Sequence, residues 1–240
     1  MTAPTILPLS IERLFYAVAG RALLESVSVE IAAGSRTVIL GPNGAGKSLC
    51  LRLAHGLIAP TAGCVVWKGP GAAQAKMRQA MVFQRPVLLR RSAAANVSYA
   101  LAVRGVPRAD RPSRVEEALA RAGLAGLGDR PARTMSGGEQ QKLALARAWA
   151  LKPEVLFLDE PTASLDPAAV RAVEAMIQAI HEGGTKIVMT THDLGQAKRL
   201  ADEVLFLHNG RLVERAPADR FFEHPSTLQA AAFLRGEILA

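Results

Sequence analysis

The chain is 240 residues long, half of them apolar, with 29 Lys and Arg against 21 Asp and Glu, a composition that excludes a disordered tail and is long enough to bury a core. Its longest stretch without a charged residue, 53–67, contains His55, Gly56, Pro60 and Gly63, so it is too short and too broken to span a bilayer. Two cysteines, Cys50 and Cys64, stand in no metal or redox spacing, and Met1-Thr2-Ala3-Pro4 carries no basic segment followed by an apolar one, so export is not expected.

Weak alternation up to Ile31 is read as an antiparallel piece. Short apolar runs then recur, each ending in polar or glycine punctuation: Val38-Ile39-Leu40 before Gly41, Met81-Val82-Phe83 before Gln84, Val155-Leu156-Phe157-Leu158 before Asp159, and Ile187-Val188-Met189 before Thr190-Thr191-His192. Runs of this kind are buried parallel strands, and the helical patterns over 49–56, 167–182 and 194–200 are the crossovers between them. Ligands of such sheets gather beyond the carboxyl ends of the strands, where Gly41, Gln84, Asp159 and His192 fall. Between 85 and 134 two helical patterns, 93–104 and 112–122, follow each other without a strand and read as an inserted helical lobe. Ten arginines, no lysine and four acids (Asp110, Glu116, Glu117, Asp129) lie between Arg85 and Arg133. Most of the surplus positive charge is therefore there, suited to an anionic partner or simply to solvent. Near the end, Val204-Leu205-Phe206-Leu207 and Arg211-Leu212-Val213-Glu214 joined through Asn209-Gly210 read as a hairpin, followed by a short helical tail from Pro217.

Gly41-Pro42-Asn43-Gly44-Ala45-Gly46-Lys47-Ser48 follows a predicted strand and opens a predicted helix, the context in which G-x-x-x-x-G-K-[ST] cradles phosphates. Its glycines let backbone N–H groups close on the anion, Lys47 supplies charge, and the Ser48 hydroxyl suits Mg²⁺. A carboxylate pair at the end of a buried strand, Asp159-Glu160, needs a cation or donor to meet it. Here Asp159 is assigned to the Mg²⁺ shell and Glu160 to polarising an attacking water; a plain turn over 159–162 is the alternative. Ser136-Gly137-Gly138-Glu139-Gln140 reads as a capping box ahead of Leu143, Ala146 and Trp149. The double glycine weakens a first helical turn and instead favours close approach to a phosphate, and both readings can hold together.

With these motifs in this order, the chain resembles the nucleotide-binding subunits of the ATP-binding cassette family along essentially its whole length. The resemblance implies an α/β fold: a P-loop NTPase parallel sheet flanked by helices, with an N-terminal antiparallel β subdomain and an inserted helical subdomain at 85–134. It implies one ATPase domain over 1–240 without a C-terminal regulatory domain. It also makes Gly41 to Ser48 the Walker A loop, Gln84 the Q-loop glutamine with a place on Mg²⁺, Ser136 to Gln140 the signature, Val155 to Glu160 Walker B, Ser164-Leu165-Asp166 the D-loop, and His192 the switch histidine. Lys47, Glu160 and His192 would be catalytic. Pro42, Asn43, Gly44, Ala45, Leu49, Gly137, Glu139 and Asp166 would join the nucleotide contacts, and Tyr16 would stack on adenine, with Phe15 or plain packing as alternatives. Met135 stands in place of the usual Leu, Glu139 where many members have Gln, and Leu49 where a Thr is often found, leaving Ser48 as the one hydroxyl for the metal.

The family further implies ATP and Mg²⁺ as cofactors and a head-to-tail dimer in which Ser136 and Gly138 of one copy meet the γ-phosphate held by Lys47 of the other. It implies an integral membrane permease docked beside the segment that begins Arg85-Pro86-Val87-Leu88-Leu89, an extracytoplasmic binding protein beyond it, and a peripheral place on the cytoplasmic face of the inner membrane. The stretches 81–92 and 191–197 are similar to tungstate importer ATPases, with phosphate and amino-acid importers close behind. A non-transport cassette ATPase in iron–sulfur assembly or on nucleic acid is the rival reading; tandem cassettes and coiled coils, which the nucleic-acid version calls for, are absent, so nucleic acid is not expected.

Overall fold

The structure, a computed structural model, describes residues 4–237; residues 1–3, read above for an export signal, and 238–240 lie outside the described residues. In chain order the elements are β1 (Leu9–Val18), β2 (Arg21–Ile31), β3 (Thr37–Leu40), α1 (Lys47–His55), β4 (Ala62–Trp67), α2 (Ala75–Arg78), β5 (Gln79–Val82), α3 (Ala93–Val103) and α4 (Arg111–Arg121). They continue with α5 (Gly137–Trp149), β6 (Val155–Asp159), α6 (Pro167–Glu182), β7 (Lys186–Thr190), α7 (Leu194–Leu200), β8 (Glu203–His208), β9 (Arg211–Pro217), α8 (Ala218–Glu223) and α9 (Leu228–Leu234). The chain folds as two compact units, residues up to Lys76 together with those from Lys186 onward, and Met77–Thr185.

In the first unit β1 pairs antiparallel with β2 on one side and β4 on the other, the antiparallel piece expected at the start of the chain. β3 lies parallel to both β7 and β8, and β9 turns back antiparallel on β8. β3 and β7 are buried at every residue, as strands covered on both faces are. Phe206 on β8 meets Phe221 and Phe233 at ring-centroid distances of 5.8 and 5.1 Å, so α8 and α9 are held by aromatic packing. Glu214 on β9 completes that attachment by accepting from the Ser226 and Thr227 backbone N–H groups at 2.8 and 2.9 Å. β4 was not foreseen: its sequence Ala-Gly-Cys-Val-Val-Trp does not alternate, and none of its residues is fully buried, because it is an edge strand.

At the start of β7, Lys186 is 2% exposed. Its ammonium donates to the Ser35 carbonyl, to Ser35 Oγ and, at 2.8 Å, to Thr37 Oγ1. Burial pulls this lysine down from its ordinary value to about 8, although Glu203 and Asp202 act in the other direction.

The second unit contains the parallel pair β5 and β6 and four helices. α3 begins at Ser92, whose side chain accepts from the Ala95 N–H, and buried Asn96 binds the preceding loop by accepting from the Leu89 N–H at 2.8 Å and donating to the Ser92 carbonyl at 3.0 Å. α5 and α6 meet where a Cβ on Gly138 would stand 2.8 Å from the Ala169 Cβ; a Cβ on Gly137 would meet nothing within 4 Å. The two glycines therefore have different reasons to be glycine. Gly138 is required by helix packing, and nothing inside the chain requires Gly137.

Two outcomes follow for stability. Gly138→Ala should lower it by about 1–3 kcal/mol through overpacking, whereas Gly137→Ala should leave it unchanged or raise it by up to about 1 kcal/mol; urea denaturation of the two variants checks the contrast, and equal losses would contradict it. Below pH 8 both folded and unfolded states keep the Lys186 proton and the folded state bears its desolvation. Above that value the folded state sheds it first, so wild type should gain on the order of 2 kcal/mol relative to Lys186→Met between pH 8 and 10.5. Parallel urea midpoints for the two proteins at those pH values measure it.

Candidate nucleotide site

Strand register places the candidate residues. In the first unit Ile39 of β3 sits opposite Thr190 of β7, so two residues further on, past both carboxyl ends, Gly41 and His192 emerge at the same edge. The Thr191 N–H donates to the Ile39 carbonyl at 3.2 Å, and Asp193 turns the chain into α7 by capping the Gln196 N–H at 2.9 Å. Exposed His192 is thereby carried on a short, tied turn beside the phosphate loop.

Within that loop, Gly46 precedes α1 with φ of 94°, and a Cβ there would strike Leu24 Cδ2 at 2.7 Å. At Gly41 a Cβ would stand 2.1 Å from the Leu207 carbonyl oxygen. Both positions therefore demand glycine on steric grounds, and the loop is clamped between β2 and β8. The hairpin turn adds a brace, since the Gly210 N–H donates to the Ala45 carbonyl at 3.2 Å and the Glu25 N–H to the Gly210 carbonyl at 2.8 Å. Sequence reading placed the Asn209-Gly210 turn but missed this use of it, which no local pattern signals. Lys47 is 5% exposed and its Nζ donates to the Gly41 and Pro42 carbonyls at 2.9 and 3.0 Å. The cation thus stands across the hollow of its own loop. Ser48 and Leu49 follow on the first turn of α1, while Asn43 and Gly44 lie exposed at the loop tip. Tyr16 pairs across the sheet with Leu24, the residue packed on Gly46, whereas Phe15 pairs with Ala62 on β4. Register therefore sets Tyr16 on the phosphate-loop side of β1.

In the second unit the same construction recurs. Val82 of β5 sits opposite Leu158 of β6, and two residues on, the Gln84 Nε2 donates to Glu160 Oε2 at 3.3 Å. Asp159 is fully buried at the end of β6. Glu160 has φ of 43°, a left-handed conformation that costs a non-glycine residue of order 1 kcal/mol and concentrates at functional positions. The turn that follows bends again at Ser164, with φ of 64°. Asp166 caps α6 by accepting from the Ala168 and Ala169 N–H groups at 2.9 and 3.0 Å, and these bonds hold its carboxyl below the usual range.

The capping box at α5 is complete. Ser136 Oγ accepts from the Glu139 N–H at 3.3 Å, and Glu139 Oε2 accepts from the Ser136 N–H at 2.7 Å. That backbone bond, helped by Arg130, holds the Glu139 carboxyl below its ordinary value. The Ser136 side chain is thus engaged within the cap, accepting from the Glu139 N–H and hydrogen-bonding the Glu139 carboxylate. Open space at Gly137 leaves the backbone N–H groups of the α5 N-terminus open to an anion.

The residues fit a nucleotide triphosphate: a glycine-shaped cradle, a buried lysine across it, and a helix N-terminus behind. Among the described residues no three His, Cys, Asp or Glu side chains converge on a metal site; Ser48 in the first unit, and Gln84 and Asp159 in the second, each carry an oxygen of the hard kind that Mg²⁺ accepts.

A family profile described as ABC transporter matches residues 24–163. The chain is 36% identical over 237 residues to the phosphate import ATP-binding protein PstB 2 of Natronomonas pharaonis, covering 92% of this chain and 84% of that protein. It is 38% identical over 204 residues to the tungstate uptake system ATP-binding protein TupC of Peptoclostridium acidaminophilum, covering 85% and 94%. Among solved structures, CbiO1 from Clostridium perfringens, part of the ABC transporter complex CbiONQ, superposes with a TM-score of 0.80 at 28% identity, covering 93% of this chain and 94% of that one. With the phosphate loop, capped α5 and Gln84–Glu160 pair in place, the chain belongs to the ABC transporter family, as its ATP-binding and ATP-hydrolysing component.

Proposed function

We propose that this protein is the ATPase subunit of an importer that drives an oxyanion, tungstate or a close relative, through a separate permease. Its likeness to TupC supports tungstate, and that to PstB 2 keeps phosphate as the second reading. No helix among the described residues is long and apolar enough to cross a membrane, so passage of the solute belongs to a partner. Val87, 64% exposed and three residues beyond Gln84, is the apolar contact offered to that permease on the cytoplasmic membrane face, with a binding protein outside supplying the cargo.

The observation that carries the enzymatic reading is the Gln84–Glu160 hydrogen bond on a strained Glu160. Glu160 polarises the attacking water, and Gln84 orients the carboxylate and senses its state. Lys47 and the loop N–H groups from Gly41 to Ser48 bind the β- and γ-phosphates. His192 contacts the γ-phosphate, and Tyr16 covers the adenine. Ser48, Gln84 and Asp159 would hold Mg²⁺, which would supply charge neutralisation to the phosphates. The α5 N-terminus, with Ser136, Gly137 and Gly138, faces the γ-phosphate held by a second, head-to-tail copy of the chain; the support for this is that nothing within this chain packs against Gly137.

Glu160→Gln should lower ATP turnover at least a hundredfold while ATP still binds and a dimer accumulates on size exclusion; wild-type turnover would remove Glu160 from its role. Gly137→Ala should keep its stability yet lose turnover by about tenfold or more, and full activity would show that no phosphate approaches there. Deleting the gene should abolish high-affinity tungstate uptake, measured by metal analysis of cells; loss of phosphate uptake alone would favour the second reading.

A further inference from the structure

Away from the nucleotide residues, the unit formed by Met77–Thr185 carries a half-open cavity of about 320 Å³. One wall is α4, which presents Arg114, Glu117, Ala118 and Arg121 at helical spacing. The facing wall is the end of α5 at Trp149 and the turn carrying Lys152. This turn precedes the amino end of β6, whereas Asp159 closes its carboxyl end, so the cavity and the catalytic carboxylates lie at opposite ends of one strand.

Its chemistry is one-sided. Arg121 is already satisfied: it pairs with Glu117 at 2.6 Å and lies over the Trp149 ring, 4.9 Å from its centre. Arg114 and Lys152 make no ion pair or side-chain hydrogen bond, and the Trp149 indole N–H has no acceptor among the described residues. Arg114, Lys152 and the Trp149 indole N–H thus border one apolar-floored hollow as donors that only solvent meets. Lys152 is held there with φ of 49°, a left-handed conformation that favours glycine. Retaining a long cationic side chain at such a position is the kind of outlier that points to use. Cations near the carbonyl ends of helices are favourable in any case, but that effect does not call for a hollow bordered by a tryptophan.

We propose that this cavity binds a small planar anion, an aromatic body lying against Trp149 with a carboxylate or phosphate group between Arg114 and Lys152. A volume near 300 Å³ is the lower end of the range for small-ligand sites, which fits one or two rings. The site is independent of the ATPase reading, since it shares no residue with it.

The chain has two tryptophans, Trp67 and Trp149, so Trp67→Phe leaves Trp149 as sole reporter. With ATP and Mg²⁺ saturating, 4-nitrobenzoate should quench this emission saturably. The neutral isostere 4-nitrobenzamide, and the combined Arg114→Ala and Lys152→Ala substitutions at these surface positions, should each weaken binding at least tenfold. Purely collisional quenching without saturation would overturn the site; equal binding of acid and amide would overturn the anion; unchanged affinity in the double variant would overturn the assignment to these residues.

Discussion

Parallel strand pairing is the constraint on which Gly41, Gln84, Glu160 and His192 depend. A parallel ladder brings the carboxyl ends of its strands to one edge, and the residues two positions beyond a paired couple are neighbours by register alone. β3 with β7 sets Gly41 beside His192, and β5 with β6 sets Gln84 beside Glu160. The pairs are buried on both faces, so a one-residue slip would drive each side chain into the opposite packing layer and displace the whole edge. Precision at the site is thus inherited from the hydrophobic effect acting several residues away.

Upon that edge, strain and sterics select the residue types. The phosphate loop is glycine-rich at Gly41 and Gly46 because Leu207 and Leu24 leave no room for a Cβ, and a loop clamped so tightly needs no reordering when an anion arrives. Glu160 is bent into an unfavourable conformation at the end of a fully buried strand and held by Gln84. At the α5 N-terminus, a reciprocal cap between Ser136 and Glu139 holds the first turn while leaving open space at Gly137. Each device spends a little local stability to hold a polar group ready.

Much of this was legible in the sequence, and the reasons are local. Four apolar runs ending in polar residues gave the strand ends, Ser-x-x-Glu gave the capping box, and Asn-Gly gave the hairpin. Whatever depended on a distant partner was not legible. Gly138 was read as a phosphate contact, yet its closest reason is Ala169 on α6. Gly210 was read as a turn residue, yet it also braces Ala45. β4 carries no periodic signal because an edge strand buries only part of one face. Tyr16 and Phe15 are adjacent in sequence, and only their different cross-strand partners, Leu24 and Ala62, separate them.

On the proposed function, a single chain holds an incomplete site, and the α5 N-terminus around Ser136 and Gly137 serves a nucleotide bound by another copy. The most direct test is the ATPase activity per mole of protein, measured over a range of protein concentrations at saturating ATP and Mg²⁺. A site completed by a second copy predicts specific activity that rises with concentration and then levels off as dimers form. Specific activity that stays constant down to nanomolar protein, with the chain sedimenting as a monomer, would contradict it.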